Sequence, residues 1–379
     1  MKKSYAILAA LWLMFQSPRA MGSVFAVDPT PPSTIVDFAI SGDALRTVPT
    51  PEPASGLADG LAHSGSSLFF VNGFGFFDGF SGDIFELDPA TGAKLGSFPA
   101  PVLIGIDALA FSGEFLFALD PATGTIFKIN PTTGLVISSC AIPAELLAAG
   151  GLAGGHGRLF VTAGFFTSIV ELDPATCAVI GELPPPPDPF PAFPFLLGLA
   201  FDGLNLFAAD AATGTIFKLD PATGVVLSSF SAGFLPSALA SSGVRFAHFS
   251  VGAETEDDEF EVKGTFTLST DSDGEESDGI NPLAEYTSLQ VGTFYTTIPA
   301  GSFEQDKKGQ FKFEGDINGV ALEMKIEALG GGIFEFKAEG EGADLKAENS
   351  VTVGLDIGND SGRTIVTAEF EDEDEEDED

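Results

Sequence analysis

Few side chains in this 379-residue chain have the type and spacing to do chemistry. Asp271, Asp273, Glu275 and Asp278 surround Gly274 in the run DSDGEESD. Carboxylates on a turn that a glycine lets bend are what a calcium ion asks for. The spacing departs from the helix-flanked calcium loop, so a solvated acidic hairpin loop is the competing reading. His63, His156 and His248 take three different positions within the repeats described below, so they form no repeated ring and read as incidental. There is no His-x-x-x-His pair, no Cys-x-x-Cys pair and no nucleophile elbow, so zinc and acyl-transfer chemistry are not expected. The cysteines, Cys140 and Cys177, are expected to stay unpaired, because the repeat register puts them about 20 Å apart along the strand direction.

The elements that would position these groups are read from a repeat. FELDPATGAKLGSF from Phe85, FKINPTTGLVISSC from Phe127, VELDPATCAVIGEL from Val170 and FKLDPATGVVLSSF from Phe217 recur with their turn residues Asp88, Asn130, Asp173 and Asp220 about 42, 43 and 47 residues apart. In DPATG the Asp bonds its own backbone two residues on, Pro presets the first turn position and Gly supplies positive φ. These aspartates are therefore structural. Each unit reads as four short strands, and such units build a β-propeller. Four whole units span about 56–101, 104–145, 148–191 and 195–236. Thr34–Phe38 and Leu45–Pro49 supply the last two strands of a fifth blade, and Ser237–Ala240 and Val244–Ala247 its first two. Both chain ends thus close the ring and remove its edges.

GLAFDGLNLFAADAATGTIFKLDPATG resembles the exported bacterial propellers of the YVTN/NHL-like repeat group, over about 34–250. The resemblance implies the fold, while such wheels carry enzymes, lyases and binding platforms alike. DPATG is also similar to a segment of propellers that bind a quinone cofactor, whose repeats end in tryptophan. These repeats end in Phe98, Cys140 or Phe230, and the single Trp12 lies in the leader, so no quinone is expected.

The fold class is all-β, a small propeller of about five blades followed by an antiparallel β-sandwich or barrel domain. Lys2 and Lys3 before the apolar stretch Tyr5–Phe15 read as a signal peptide over 1–26, with Val27 as the mature start. The propeller is placed at 34–250 and the second domain at 260–370, on alternations such as Phe260, Val262, Phe266 and Val351, Val353, Leu355. Residues 371–379 form an acidic tail expected to be disordered. Net charge is −38, and from Val251 onward about 35 acidic face about 8 basic residues, which makes nucleic acid a poor partner. The mature chain is expected to be exported, without a membrane span.

Phenylalanines crowd the loops at one end of the wheel: Phe74, Phe76, Phe77, Phe80, Phe165, Phe166, Phe190, Phe193, Phe195 and Phe234. With almost no Trp or Tyr, they suit a protein, peptide or apolar ligand better than a sugar; packing under the Pro-rich loop or the second domain is the alternative. The favoured reading is an exported, non-enzymatic interaction or scaffold protein with a Phe/Pro-rich binding face and no confident cofactor, calcium being the candidate. The alternatives are a calcium-dependent cell-surface structural protein, or a propeller enzyme or lyase with an axial site, for which Asp107, His63 and Asp210 are the residues to inspect.

Overall fold

The computed structural model describes residues 22–54, 59–73, 82–102, 105–146, 150–163, 168–184, 186, 195–256, 258–269, 277, 279–317, 319–345 and 350–367. Four blades are built from consecutive hairpins. Blade 2 comprises Asp59–His63, Leu68–Asn72, Asp83–Leu87 and Lys94–Pro99; blade 3 Ala108–Ser112, Phe115–Asp120, Thr125–Ile129 and Val136–Ala141. Blade 4 comprises Leu152–Gly155, Arg158–Ala163, Ser168–Leu172 and Val179–Leu183; blade 5 Leu196–Phe201, Leu206–Asp210, Thr215–Leu219 and Val226–Ser231. Blade 1 takes Ser23–Asp28, Thr34–Ala39 and Ala44–Pro49 from the N-terminal side and its innermost strand, Leu239–Ser242, from beyond blade 5. The innermost strands touch one another in a closed ring.

The closure therefore uses three strands plus one, where two plus two was expected. Ser23–Asp28 reads SVFAVD and is an apolar second strand like LFFVN of blade 2; Val24 and Ala26 are wholly buried. Its small residues mimic a processing site, and a leader boundary after Ala26 would fall inside this strand. Val244–Arg245 does not return to blade 1. It pairs in parallel with Asp360–Ser361 of the C-terminal region, so the propeller strands run from Ser23 to Ser242 and the second region begins at Val244, ahead of the expected 260.

Inner strands pack through a small-residue–Leu–Ala repeat: Gly60-Leu61-Ala62, Ala108-Leu109-Ala110, Gly151-Leu152-Ala153, Gly198-Leu199-Ala200 and Ala238-Leu239-Ala240. A Cβ on Gly60 would lie 2.8 Å from Leu109 Cγ, and one on Gly198 2.8 Å from Leu239 Cγ. The small residue of one blade is the seat for the leucine of the next, and each leucine so buried stabilises the ring by about 1.5–3 kcal/mol.

A second contact runs around the outside. The turn between third and fourth strands bears a residue of positive φ, and that residue meets the outer strand of the preceding blade, or the residue just beyond it. Gly42 meets Phe230, Gly92 meets Val48 and Pro49, Gly134 meets Phe98, and Gly224 meets Pro184. At the junction of blades 3 and 4 the pair is Cys177, with φ 58°, and Cys140. They form a disulfide, with Cα atoms 5.7 Å apart. The expectation of unpaired cysteines is thus overturned. It counted distance along strands lying in register, whereas neighbouring blades are offset so that each turn reaches back to the previous outer strand. In all five blades the outer pairing also carries a register shift at one equivalent place, such as Glu86/Leu87 and Lys218/Leu219, a device that blunts an edge.

Beyond Ser242 two sheets share a core. One orders Val244–Arg245, Asp360–Thr367, Ser350–Ile357, Thr287–Val291 and Phe294–Ile298; the other His248–Thr255, Glu259–Thr267, Ile333–Glu341, Val320–Gly330, Phe311–Ile317 and Glu304–Gln305. The alternating residues expected to face inward do so: Val262, Phe266, Met324, Phe336, Val353 and Leu355 are buried together. Phe246 stacks on Phe266 at 4.3 Å, so the segment leaving the propeller is itself part of this core.

Candidate interaction surface

The repeated aspartates are turn formers. Asp88 Oδ1 accepts from the Ala90 and Thr91 amides at 3.0 and 2.7 Å, and Asp173 and Asp220 do the same in their own turns. Hydrogen bonds from Thr91, Thr176 and Thr223 hold these carboxyls below their usual range, which suits permanent acceptors.

The axial channel is lined by Leu61, Ala62, His63, Leu109, Phe111, Leu199 and their counterparts, and its cavity volume is about 20 Å³, room for roughly one water. His63 stacks on Phe25 with ring centroids 5.4 Å apart, and its Nδ1 accepts from the Gly65 amide at 2.9 Å. Burial, helped by the Arg245 charge, pushes its pKa down to about 3. It is a neutral packing residue.

One end of the wheel is covered by the C-terminal region. In blades 3, 4 and 5 the turns between first and second strands make the contact, Gly113 lying under Tyr295, Gly157 near Thr297 and Gly203 under Gly358, and Gly243, where the chain leaves blade 1, lies under Asn359. His156, in the left-handed region at φ 50°, is the centre of this seam. Its Nε2 lies 2.7 Å from the Gly358 carbonyl and its Nδ1 2.7 Å from Ser288 Oγ. A carbonyl only accepts, so Nε2 donates to Gly358, and Nδ1 and Ser288 Oγ share the second bond. Ser288 in turn bonds Thr297 at 2.9 Å. Arg158, held by Glu171 at 2.7 and 3.0 Å, lies over Tyr286 at 5.3 Å. Burial raises Asp356 above the usual carboxylate range, opposed by His156 and Arg363. The sequence reading took His156 as incidental; its position on a Gly-flanked turn was the available signal, and its partners lie 132 and 202 residues away.

The other end is where second strands finish. Asp210 Oδ1 accepts from the Phe195 and Ala212 amides, Thr162 Oγ1 from Gly150 and Gly151, and Asn72 Nδ2 donates to the Pro53 carbonyl. Each catches the chain arriving from the preceding blade, so Asp210 is structural. Asp107 differs. Burial and the nearby charges of Asp120 and Asp59 push it up to about 7.

Phe195 and Phe234 flank the Asp210–Gly214 turn at this end: the Ala211 amide bonds the Phe195 carbonyl, and Gly214 abuts Phe234. Both are half-buried, and Phe234 leans on Phe38 at 6.1 Å, while Leu235 beside it is exposed. Phe74, Phe76, Phe77, Phe80, Phe165, Phe166, Phe190 and Phe193 lie outside the described residues, as do Asp271, Asp273, Glu275 and Asp278. Among the described residues no group of three or more His, Cys, Asp or Glu is arranged to hold a metal ion, and no helix is long and apolar enough to cross a membrane.

The sequence reading also missed the rim. Three residues after each outer turn glycine or its equivalent stands an aliphatic side chain, Leu45, Leu95, Ile137, Ile180 and Leu227, between 39% and 61% exposed. All five blades show it, so it belongs to the repeat.

No family model matches the chain, and no curated protein matches it. Among solved structures, glutaminyl cyclase from Myxococcus xanthus is similar at 18% identity over 52% of this chain and 75% of its own, with a TM-score of 0.38. A chain of a nidogen/laminin complex is similar at 12% identity over 58% of this chain and 98% of its own, TM-score 0.40. AztD from Citrobacter koseri is similar at 11% identity over 58% and 97%, TM-score 0.34. None of their activities carries over to this chain at these identities and scores.

Proposed function

We propose that this chain is an exported, non-enzymatic interaction protein that holds a protein, peptide or apolar ligand at the end of the wheel opposite its C-terminal region. The observation that carries the reading is the placement of the two ends of the strand Leu206–Asp210. At one, Gly203 is covered by Gly358 of the C-terminal sheet; at the other, Phe195, Phe234 and the exposed Leu235 gather around the Asp210–Gly214 turn. Export is favoured by the basic start and apolar stretch of the leader and by the Cys140–Cys177 bond, which belongs to oxidising compartments.

Asp107 favours a second reading. A carboxyl with a pKa of about 7, raised by burial beside Asp120 and Asp59, has the proton affinity of a general acid or base. The binding face is tested by affinity capture from the producing cell's envelope and medium with wild type, a Phe195→Ser/Phe234→Ser variant and Asp107→Asn, each shown folded by circular dichroism. A species held by wild type and Asp107→Asn and lost by the Phe variant supports the binding face. Equal capture by all three, or no captured species, counts against it.

A further inference from the structure

Ser23 opens the first strand of the wheel, and the contacts of that strand limit where a leader can be removed. All four residue pairs that join Ser23–Asp28 to Leu239–Ser242, and so close the ring, belong to Ser23, Val24, Phe25 and Ala26. The same residues supply packing. Val24 and Ala26 are wholly buried, and Phe25 is buried and stacks on His63. A cut after Ala26 would leave only Val27 and Asp28 of this strand. Leu239–Ser242 would then lose its one neighbour in the sheet of blade 1.

The small residues between Arg19 and Val27 are Ala20, Gly22, Ser23 and Ala26. A leader peptidase reads small side chains at the last residue of the leader and again two residues before it. Ala26 has Val24 at that earlier place, Ser23 has Met21 and Ala20 has Pro18, whereas Gly22 has Ala20. Ala20-Met21-Gly22 meets the small-residue rule with alanine and glycine, and it ends immediately before the first strand. We infer that the leader is removed between Gly22 and Ser23, so that the mature chain begins on the first residue of blade 1. This site rests on the exported reading above.

Cleavage there turns the Ser23 amide into an ammonium, and its surroundings suit the charge. Ser23 is buried, and a buried charge needs a partner. Its nitrogen already donates to Ser242 Oγ at 3.0 Å. Asp37, buried on the neighbouring strand, takes a hydrogen bond from the Ser23 side chain and pairs with Arg46 at 2.8 Å. Burial still holds the Asp37 carboxyl above its usual range, so Arg46 alone does not offset its desolvation. A second cation beside it does so further.

Burial also sets the order of events. A Cβ on Gly22 would lie 3.0 Å from Ile40 Cδ1 and 3.3 Å from Val244 Cγ2, where the chain leaves the wheel. Proteases cut exposed, poorly ordered backbone. The bond is therefore cut before blade 1 closes.

The test is N-terminal sequencing of the chain recovered from the medium, envelope and cytosol of the producing cell, for wild type and Ala20→Tyr. Wild type is expected to begin at Ser23 in the exported fractions. Ala20→Tyr spoils the small-residue pattern and leaves Val24-Phe25-Ala26 untouched, so it is expected to lower the processed fraction by about tenfold or more. A first residue of Val27 overturns the inference, as does processing that Ala20→Tyr does not slow. An exported chain that keeps its leader overturns the site and leaves the exported reading standing. A chain that keeps its leader and stays in the cytosol overturns both. The full chain, folded with its leader attached, is expected to resist added leader peptidase at Gly22–Ser23. Cutting there as fast as in a peptide spanning Gln16–Asp28 refutes the order of events.

Discussion

Cys140 is bonded to Cys177 at the one blade junction where a turn glycine does not rest under a ring or branched side chain of the preceding blade. The bond joins residues 37 apart in sequence and replaces a packing contact made at the other four junctions. Closing a loop of that size stabilises by about 3–4 kcal/mol on the chain-entropy account. Cys140→Ala/Cys177→Ala is expected to lose that much in urea denaturation, while Cys140→Phe/Cys177→Gly, which copies the Phe98–Gly134 junction, regains a large part of it. Equal midpoints for the two variants would show that the junctions are not interchangeable.

His156 fastens the two regions of the molecule. Replacing it with Ala removes two buried hydrogen bonds and leaves the Gly358 carbonyl without its donor, a loss of about 2–3 kcal/mol. The seam is expected to open before either core, so limited proteolysis should cut His156→Ala near residues 242–248 under conditions where wild type is intact. A variant cut no faster than wild type would refute this role.

Asp107 makes stability fall as pH rises. Its pKa is about 7 in the folded chain against roughly 3.9 unfolded, so between these values the folded state holds the extra proton. The contribution is complete below about pH 4 and lost as pH passes 7. Asp107→Asn is expected to be more stable than wild type at pH 8 by on the order of 1–2 kcal/mol, allowing for partial exposure, and to flatten the pH profile in this window. Denaturation midpoints from pH 4 to pH 8 decide it.

His63 acts in the opposite direction. Its pKa is about 3 folded against roughly 6.5 unfolded, so the unfolded chain takes up a proton first and stability is lost as pH falls from 6.5 towards 3. His63→Phe keeps the stack on Phe25 and is expected to resist acid better, at the cost of about 1 kcal/mol at neutral pH for the lost Gly65 bond. Parallel acid titrations followed by fluorescence would show it.

The rim aliphatics are expected to contribute almost nothing to folding. Leu95→Ser, Ile137→Thr, Ile180→Thr and Leu227→Ser together should each shift stability by no more than about 0.5 kcal/mol while lowering binding of an apolar dye. A cooperative loss of several kcal/mol would mean that these side chains are covered.

Blade count, turn chemistry and the inward faces of the C-terminal strands were legible because each is written locally: DPATG names its own turn, and alternation names a face. What was not legible needed the ring. Cys140 meets Cys177, and His156 meets Gly358, only because blades are offset and the C-terminal sheet folds back on the wheel. Ser23–Asp28 was misread for another reason, since the composition that makes a buried strand also makes a plausible processing site. That Glu261, Glu339 and Glu323 stand opposite one another in the larger C-terminal sheet was likewise invisible until the register was known, because along any one strand they read as ordinary Glu–x–Lys alternation.

Blade 1 is held by a pairing between residues far apart in the chain: the Ser23 amide bonds Ser242 Oγ across 219 residues. During synthesis the first three strands must wait for all the rest. Until then Ser23–Asp28 is an unpaired apolar edge, and closing over so long a separation is slow. The interval before Leu239–Ser242 arrives is thus when this chain is most open to mispairing, and the moment at which a chaperone would find something to hold.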